Sequence, residues 1–248
     1  MKIFKFILLF TVIILTNSCN DNNDPPEITS GNLAIHFNHD WNGEPIDFDE
    51  IKYTNAFGDV LSITKLRYLI SNFVLQLSDG SVINLNGYIL VDLNSGNLTA
   101  YAPNIPFNNY TGISFTFGFD ETDNVDGFYP DLNAASWNWP EMLGGGYHFM
   151  QLEGKYDDGG IESPYAYHNG TAKVSDDIFE ANHFEVNLGG FAFSEESTLN
   201  LHMNIAEWFT NPYPWDLDTY NIDLMMNFDA QILMNQNGGS VFSIGNVN

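Results

Sequence analysis

The sequence predicts an all-β protein, an antiparallel β-sandwich with a short helix near its C-terminus. Apolar and polar residues alternate with a period of two in many short segments, and Gly, Asn, Asp and Pro separate these segments as turns. Helical periodicity is scarce. Short strands divided by turn signals are typical of sandwiches and barrels. We find neither a repeat nor an internal linker, so residues 30–248 are predicted to form one domain.

Two strand segments show the alternation most clearly. Residues 33–39 place one set of side chains on a single face, and residues 113–119 do the same: Leu33, Ile35, Phe37 and His39; Ile113, Phe115, Phe117 and Phe119. Further strands are predicted over residues 65–77, 88–93, 146–156, 163–168, 183–188 and 198–205. Because same-face residues pack together, we expect two antiparallel sheets that bury these apolar faces against each other.

A helix is predicted over Asn221–Gln236, near the C-terminus. Apolar residues recur there at intervals of three and four, as on one face of a helix: Ile222, Met225, Met226, Ile232 and Leu233. The sequence Asn237-Gly238-Gly239 supplies the stop signal.

The N-terminus indicates an exported lipoprotein. Residues 1–18 combine Lys2 and Lys5 with a short apolar run, which is too short for a transmembrane helix of about 20 residues. Cys19, the sole cysteine, follows Ser18 as in a bacterial lipobox, so lipidation at Cys19 is predicted. Residues 19–29 then form an acidic, polar tether. The predicted location is the outer membrane, the cell surface or the periplasm, with membrane contact through the lipid only.

Composition excludes several functions. The chain has seven Lys and Arg against 32 Asp and Glu, a net charge of −25, so nucleic acid is not an expected partner. Lipidation of Cys19 would leave neither a disulfide nor a thiolate ligand, so a metal site would use His, carboxylate, carbonyl, Met or a modified side chain. The sequence lacks Gly-x-Ser-x-Gly, His-Glu-x-x-His and phosphate-loop motifs, and we predict that the protein is not an enzyme.

Histidines and tryptophans supply the candidate ligands. His39 and His168 each end a predicted strand, and His148 lies among apolar neighbours. A buried imidazole requires a partner. Trp137 and Trp139 lie in a loop before a run of three glycines, where they either fill the core or form part of a site.

Calcium is a weaker alternative. Residues 120–127 alternate oxygen-bearing side chains with a glycine, which makes Asp120, Asp123 and Asp126 candidate ligands. The segment lacks the bidentate acid that ends an EF-hand loop.

Several segments, taken in their order along the chain, resemble the MbnP-like copper-binding family. The resemblance rests on residues 37–39, 43–46, 53–58 and 66–73, on Trp137-Asn138-Trp139, on residues 146–154, and on Tyr167-His168-Asn169-Gly170. Residues 204–209 and 241–247 extend it over nearly the whole predicted domain.

This resemblance implies a β-sandwich that binds copper and is partnered with a di-haem peroxidase. It further implies that an oxidised tryptophan, of kynurenine type, helps histidines bind the metal. On this basis His39 and His168 are the leading ligands, with His148 as a third, and Trp139 or Trp137 is the oxidised residue. The alternative is a surface lipoprotein that binds a glycan or protein ligand through aromatic loops, with calcium as a structural ion.

Overall fold

The computed structural model describes residues 29–248, so the predicted signal peptide, Cys19 and nearly all of the tether lie outside the described residues. The strands are β1 (Ser30–Trp41), β2 (Glu44–Pro45), β3 (Tyr53–Thr54), β4 (Val60–Leu61), β5 (Lys65–Gln76), β6 (Val82–Asp92), β7 (Thr99–Pro106), β8 (Asn108–Tyr110), β9 (Gly112–Phe117), β10 (Met150–Asp158), β11 (Ile161–Asn169), β12 (Ala172–Ser175), β13 (Ile178–Glu180), β14 (Phe184–Leu188), β15 (Phe191–Phe193), β16 (Ser197–Asn204) and β17 (Phe242–Val247). The helices are α1 (Pro130–Ala134) and α2 (Phe228–Gly238), with 3₁₀ turns at Glu141–Leu143, Ile205–Phe209 and Leu224–Met226. The all-β prediction is confirmed.

Two sheets form the sandwich. The first has the order β17-β16-β1-β2, with β7 also paired to β1. The second has the order β14-β9-β5-β10-β4-β3, with β6 paired to β5 and β11 paired to β10. Most pairs are antiparallel, as predicted, but β1 and β16 run parallel. The long connection between these two strands makes a parallel pairing possible, and it cannot be read from local alternation.

The core between the sheets is largely aromatic. Phe37 of β1 meets Tyr68 of β5 at a centroid distance of 6.0 Å, and Phe117 of β9 stacks on Phe184 at 4.8 Å. The residues predicted to share a face, Leu33, Ile35 and Phe37 in β1 and Ile113, Phe115 and Phe117 in β9, are all buried, as are Phe149, Leu152, Leu199 and Leu201. Alternation therefore identified the inward-facing side of these strands correctly.

A second, smaller apolar cluster lies on the outer face of the second sheet. It contains Leu69, Phe119, Leu132, Trp137 and Tyr147. The segment from 118 to 149 folds back over this face and contributes the last four of these side chains. This covering segment brings the tryptophan loop onto the sheet.

The C-terminal helix is shorter than the sequence predicts. The helix α2 begins at Phe228, after Asn227 accepts a hydrogen bond from the amide of Ala230 as an N-cap. Residues Leu224–Met226 form a separate 3₁₀ turn, and Ile222 and Met226 are exposed rather than packed. Within residues 29–248, no helix is both long enough and apolar enough to cross a membrane.

Candidate metal centre

The candidate centre lies on the outer face of the second sheet. Strand register aligns Arg67 of β5, Gln151 of β10 and His168 of β11 in one row across three strands. Because successive residues of a strand point to opposite faces, the adjoining row that starts at Tyr68 points into the core. The outer row is covered by the tryptophan loop, which adds His148.

Two imidazoles meet under that loop. The rings of His148 and His168 are edge to face, with centroids 5.4 Å apart. His148 is 6% exposed, and its Nδ1–H donates to the carbonyl oxygen of Trp137 at 3.1 Å. A neutral imidazole with its proton on Nδ1 keeps a lone pair on Nε2. His148 is therefore oriented with Nε2 as its available ligand atom.

His168 is oriented by a carboxylate. Its Nε2–H donates to Oε1 of Glu153 at 2.8 Å, and the same oxygen accepts a hydrogen bond from Nζ of Lys65 at 2.8 Å. The arrangement leaves Nδ1 of His168 as the nitrogen with a free lone pair. A histidine that donates its other N–H to a carboxylate or a backbone carbonyl is the usual second shell of a metal site.

The electrostatics keep His148 ready to bind a metal. Burial, together with the neighbouring His168, lowers the pKa of His148 to about 4, so its imidazole is neutral at pH 7. The hydrogen bond from His168, followed by that from Lys65, lowers the pKa of Glu153 to about 2, against the opposing effect of partial burial. A neutral imidazole beside an ionised second-shell carboxylate is the protonation state that coordination requires.

The donor set fits a metal of low coordination number. Imidazole nitrogens bind such metals at about 2 Å, and the two rings are neighbours, with centroids 5.4 Å apart. Among residues 29–248, no group of three or more His, Cys, Asp and Glu side chains is placed to hold a metal. The centre therefore offers two imidazole nitrogens, and a further ligand would come from another kind of group.

Trp137 and Trp139 both pack against the imidazole of His148. The Trp139 ring lies edge to face against His148 at 4.9 Å, and Trp137 lies 5.4 Å from the same ring. The indole N–H of Trp139 donates to the carbonyl oxygen of Leu143 at 3.1 Å, whereas Nε1 of Trp137 is buried without a partner. The guanidinium of Arg67 lies 4.9 Å over the Trp137 ring.

Both indoles are buried, with 0% exposure for Trp137 and 1% for Trp139. The loop is fixed because Trp139 fills the space above Gly170, and an added Cβ there would lie 2.5 Å from the indole ring. The tryptophans consequently form no exposed aromatic patch of the kind that a glycan-binding loop would need.

His39 does not join this centre. It lies on the core side of β1, where its Nε2 is 2.9 Å from the hydroxyl of Tyr68. Tyr68 points inward and His168 outward, so the second sheet separates His39 from His168. The structure therefore does not bring these two predicted ligands together, because strand ends that are equivalent in sequence can face opposite sides of a sheet.

The three calcium candidates do not form a common metal-binding group within the described residues. Oδ1 of Asp120 accepts hydrogen bonds from the amides of Thr122 and Asp123, and its Oδ2 accepts one from the side chain of Asn72. Asp120 thus closes its own turn, and neither Asp123 nor Asp126 joins it in a metal-holding group within the part of the chain described. These contacts account for the acidic turn without an ion.

Comparison with known proteins identifies the family. The sequence profile of the MbnP family matches residues 30–227, which is most of the chain. This protein belongs to the MbnP family. Among solved structures, MbnP from Methylosinus trichosporium superimposes with a TM-score of 0.58, covering 88% of this chain and 99% of that one at 15% identity. That likeness shows a shared MbnP fold. No curated protein matches the chain.

Sequence reasoning missed the polar residues that orient the centre of this MbnP chain. Glu153, Gln151 and Arg67 alternate with apolar residues in their strands, and this pattern marks one polar face. Gln231 gave no sequence signal. It is fully buried on α2, where its Nε2 donates to the carbonyl oxygens of His168 and Leu224 and its Oε1 accepts from the amide of Gly170.

Proposed function

We propose that this protein binds copper through Nε2 of His148 and Nδ1 of His168. The observation that carries the proposal is the pair of orienting hydrogen bonds, from His148 to a backbone carbonyl and from His168 to Glu153, which leaves one lone pair free on each of two neighbouring rings. Imidazole suits copper, and membership of the MbnP family supports the choice of metal over zinc. The role is binding rather than catalysis.

We also propose that an oxidised tryptophan completes the centre. Kynurenine carries an amine and a ketone that indole lacks, so oxidation would turn a packing residue into a ligand. Trp139 is the better candidate, because its ring is the closer of the two to His148 and the cation of Arg67 lies over Trp137. A cation over a ring opposes removal of an electron from it.

A separate oxidant is needed for that step, and we propose a di-haem peroxidase as the partner. Both indoles are buried, so a haem in another protein could oxidise them only by electron transfer through the intervening side chains. The acidic chain, at a net charge of −25, favours a partner with a basic docking surface. Added salt should weaken that association.

Anchoring through Cys19 to the cell envelope is part of the same proposal. Conversion of Cys19→Ser should yield a soluble or unprocessed protein in a bacterial host that lipidates such signals. Detergent partitioning of cell fractions measures this. Membrane-bound, fully processed Cys19→Ser protein would refute the anchor without affecting the copper proposal.

The copper proposal is tested by titration with Cu(I) against a chromogenic chelator under anaerobic conditions. His148→Phe and His168→Phe should each lose most of the affinity. His202→Phe is the matched control, because His202 is partly buried on β16 of the first sheet, away from the centre. Circular dichroism should show all three variants folded. Wild-type affinity in both single variants would refute the assignment.

A further inference from the structure

An apolar cavity of about 430 Å³ opens beside the centre. Its lining includes His168, Leu143 and Leu224 together with three methionines, Met142, Met225 and Met226. His168 is 17% exposed, whereas His148 is nearly sealed. The cavity is therefore a route by which a solute reaches the face of His168.

The methionines fall into two groups by exposure. Met142 is 66% exposed and Met226 is 62% exposed, and Met225 is partly exposed beside them. The other methionines of the described chain, Met150, Met203 and Met234, are each 0% exposed and serve core packing. Exposed thioethers gain less from the hydrophobic effect than buried ones, so core packing does not account for the three that line this cavity.

Buried hydrogen bonds hold both walls of this cavity in place. On one side, Nε2 of Gln231 donates to the carbonyl oxygen of His168 at 2.7 Å and to that of Leu224 at 3.0 Å, immediately before Met225. On the other side, the indole of Trp139 donates to the carbonyl oxygen of Leu143, immediately after Met142. The same framework that orients the centre therefore brings the methionines to its mouth.

Thioether sulfur is a soft, uncharged donor that selects Cu(I) over harder cations. We propose that Met142, Met225 and Met226 form a soft-metal vestibule, a weak binding site for monovalent copper at the mouth of the cavity. Its role in passing Cu(I) to His168 rests on the copper function proposed above. The net charge of −25 would raise the local concentration of cations near this mouth.

The vestibule itself is tested with Ag⁺, a redox-inert monovalent soft cation, and protein labelled with ¹³C at the methionine methyl groups. On titration, the methyl resonances of Met142, Met225 and Met226 should shift. Those of Met150, Met203 and Met234 serve as internal references and should not. Absence of any selective shift at the three vestibule methyls would overturn the proposal. Equal shifts at the buried methyls would also overturn it, because they would indicate general unfolding.

The same titration on His148→Phe protein separates this proposal from the proposed copper centre. The vestibule shifts should persist there, because thioethers need no imidazole to bind Ag⁺. Persistence of these shifts, together with failure of the wild-type histidine centre to bind Cu(I), would support the vestibule and remove its delivery role. Loss of the vestibule shifts in a folded His148→Phe variant would overturn the proposal that the three methionines bind the cation independently of the histidine centre.

Delivery is tested by loading kinetics. The triple variant Met142→Leu, Met225→Leu and Met226→Leu keeps side-chain volume and apolar character, so it should fold. Cu(I) should load several-fold more slowly than in the wild type, with little change in the final affinity. Met203→Leu is the buried thioether control and should load at the wild-type rate. An unchanged loading rate in the triple variant would overturn delivery through the vestibule.

Discussion

Oε1 of Glu153 accepts a hydrogen bond from Nε2 of His168 at 2.8 Å, and this contact fixes which nitrogen of His168 is free. The carboxylate lies two residues from Gln151, the strand-register partner of His168, so the contact is a diagonal one across β10 and β11. The hydrogen bond from His168 and, after it, that from Lys65 lower the pKa of Glu153 and keep it ionised. The geometry of the proposed copper centre therefore depends on a residue that need not touch the metal.

Substitution of Glu153→Gln should weaken copper binding by about 10- to 100-fold, as loss of a second-shell partner does in other metal sites. Gln keeps the shape but loses the charge that selects the Nε2–H tautomer of His168. Chelator competition at fixed pH measures the affinity. Glu162→Gln removes an exposed partner of Lys155 on the adjoining strand and is the matched control. Equal affinities in the two variants would contradict the role of Glu153.

Gly170→Ala should displace Trp139. The added Cβ would lie 2.5 to 2.8 Å from three atoms of the indole, which is shorter than van der Waals contact. The hydrogen bond from the indole N–H to the carbonyl oxygen of Leu143 opposes movement of the ring. Overpacking of this kind costs about 1–3 kcal/mol. Near-ultraviolet circular dichroism and urea unfolding detect the ring movement and the cost. Gly189→Ala is the control, since its nearest neighbour, Ile244, lies at 3.7 Å.

Phe117→Ala should lower the free energy of unfolding by about 3–5 kcal/mol, the range for removal of a buried aromatic ring. Phe117 is 0% exposed and packs against Phe184 and Trp208 at centroid distances of 4.8 and 5.2 Å. Phe57, which is 56% exposed, provides the control, and Phe57→Ala should cost under about 0.5 kcal/mol. Urea denaturation compares them. Similar costs at both positions would contradict the sandwich core.

Much of the fold could be predicted from sequence, because strand alternation reports burial directly. Leu33, Ile35 and Phe37 alternate in the chain and are all buried in the sandwich. The parallel pairing of β1 with β16 could not be predicted, since it joins residues more than 150 positions apart and depends on the order of the strands. Helix-type spacing at Met225 and Met226 was misleading because a 3₁₀ turn precedes the helix.

The candidate metal centre could be predicted only in part, because it depends on how distant strands pair. His148 and His168 were candidates, but nothing local shows which face of the sheet a strand-end histidine occupies. His39 faces the core through its contact with Tyr68, whereas His168 faces outward in the row of Gln151 and Arg67. The site therefore depends on register between strands, which composition and spacing do not contain.

The stability of the fold should depend on pH through His39. Burial, with smaller effects from His36 and His202, lowers the pKa of His39 to about 3, against 6.5 for an exposed imidazole. Between these values the unfolded chain binds a proton that the folded protein does not, so stability falls as pH falls through this window. Above pH 6.5 His39 contributes no pH dependence.

The measurement is urea unfolding at a series of pH values. From pH 6.5 to 5, His39 should account for a loss of about 2 kcal/mol. His39→Gln keeps a hydrogen-bonding group near the hydroxyl of Tyr68 but cannot titrate, so its stability should fall less over the same interval. Parallel pH profiles for the wild type and the variant would show that folding does not lower the pKa of His39, and would contradict this prediction.

Peptide mass spectrometry on protein from its native host tests the proposed oxidation. Trp139 should carry the modification: kynurenine adds one oxygen and removes one carbon, and its formyl precursor adds two oxygens. Trp137 should be unmodified, because Arg67 lies 4.9 Å over its ring and opposes loss of an electron. Fragmentation of the peptide that contains both residues assigns the position.

Arg67→Met provides the matched variant for this test. It removes the cation from Trp137 and leaves Trp139 and His148 in contact, so oxidation at Trp137 should rise in the same host. Protein made without a haem peroxidase should have two unmodified tryptophans and a weaker copper centre. Unmodified tryptophans in native-host protein that binds Cu(I) tightly would show that the centre needs no oxidised residue, and that the two indoles only pack against His148.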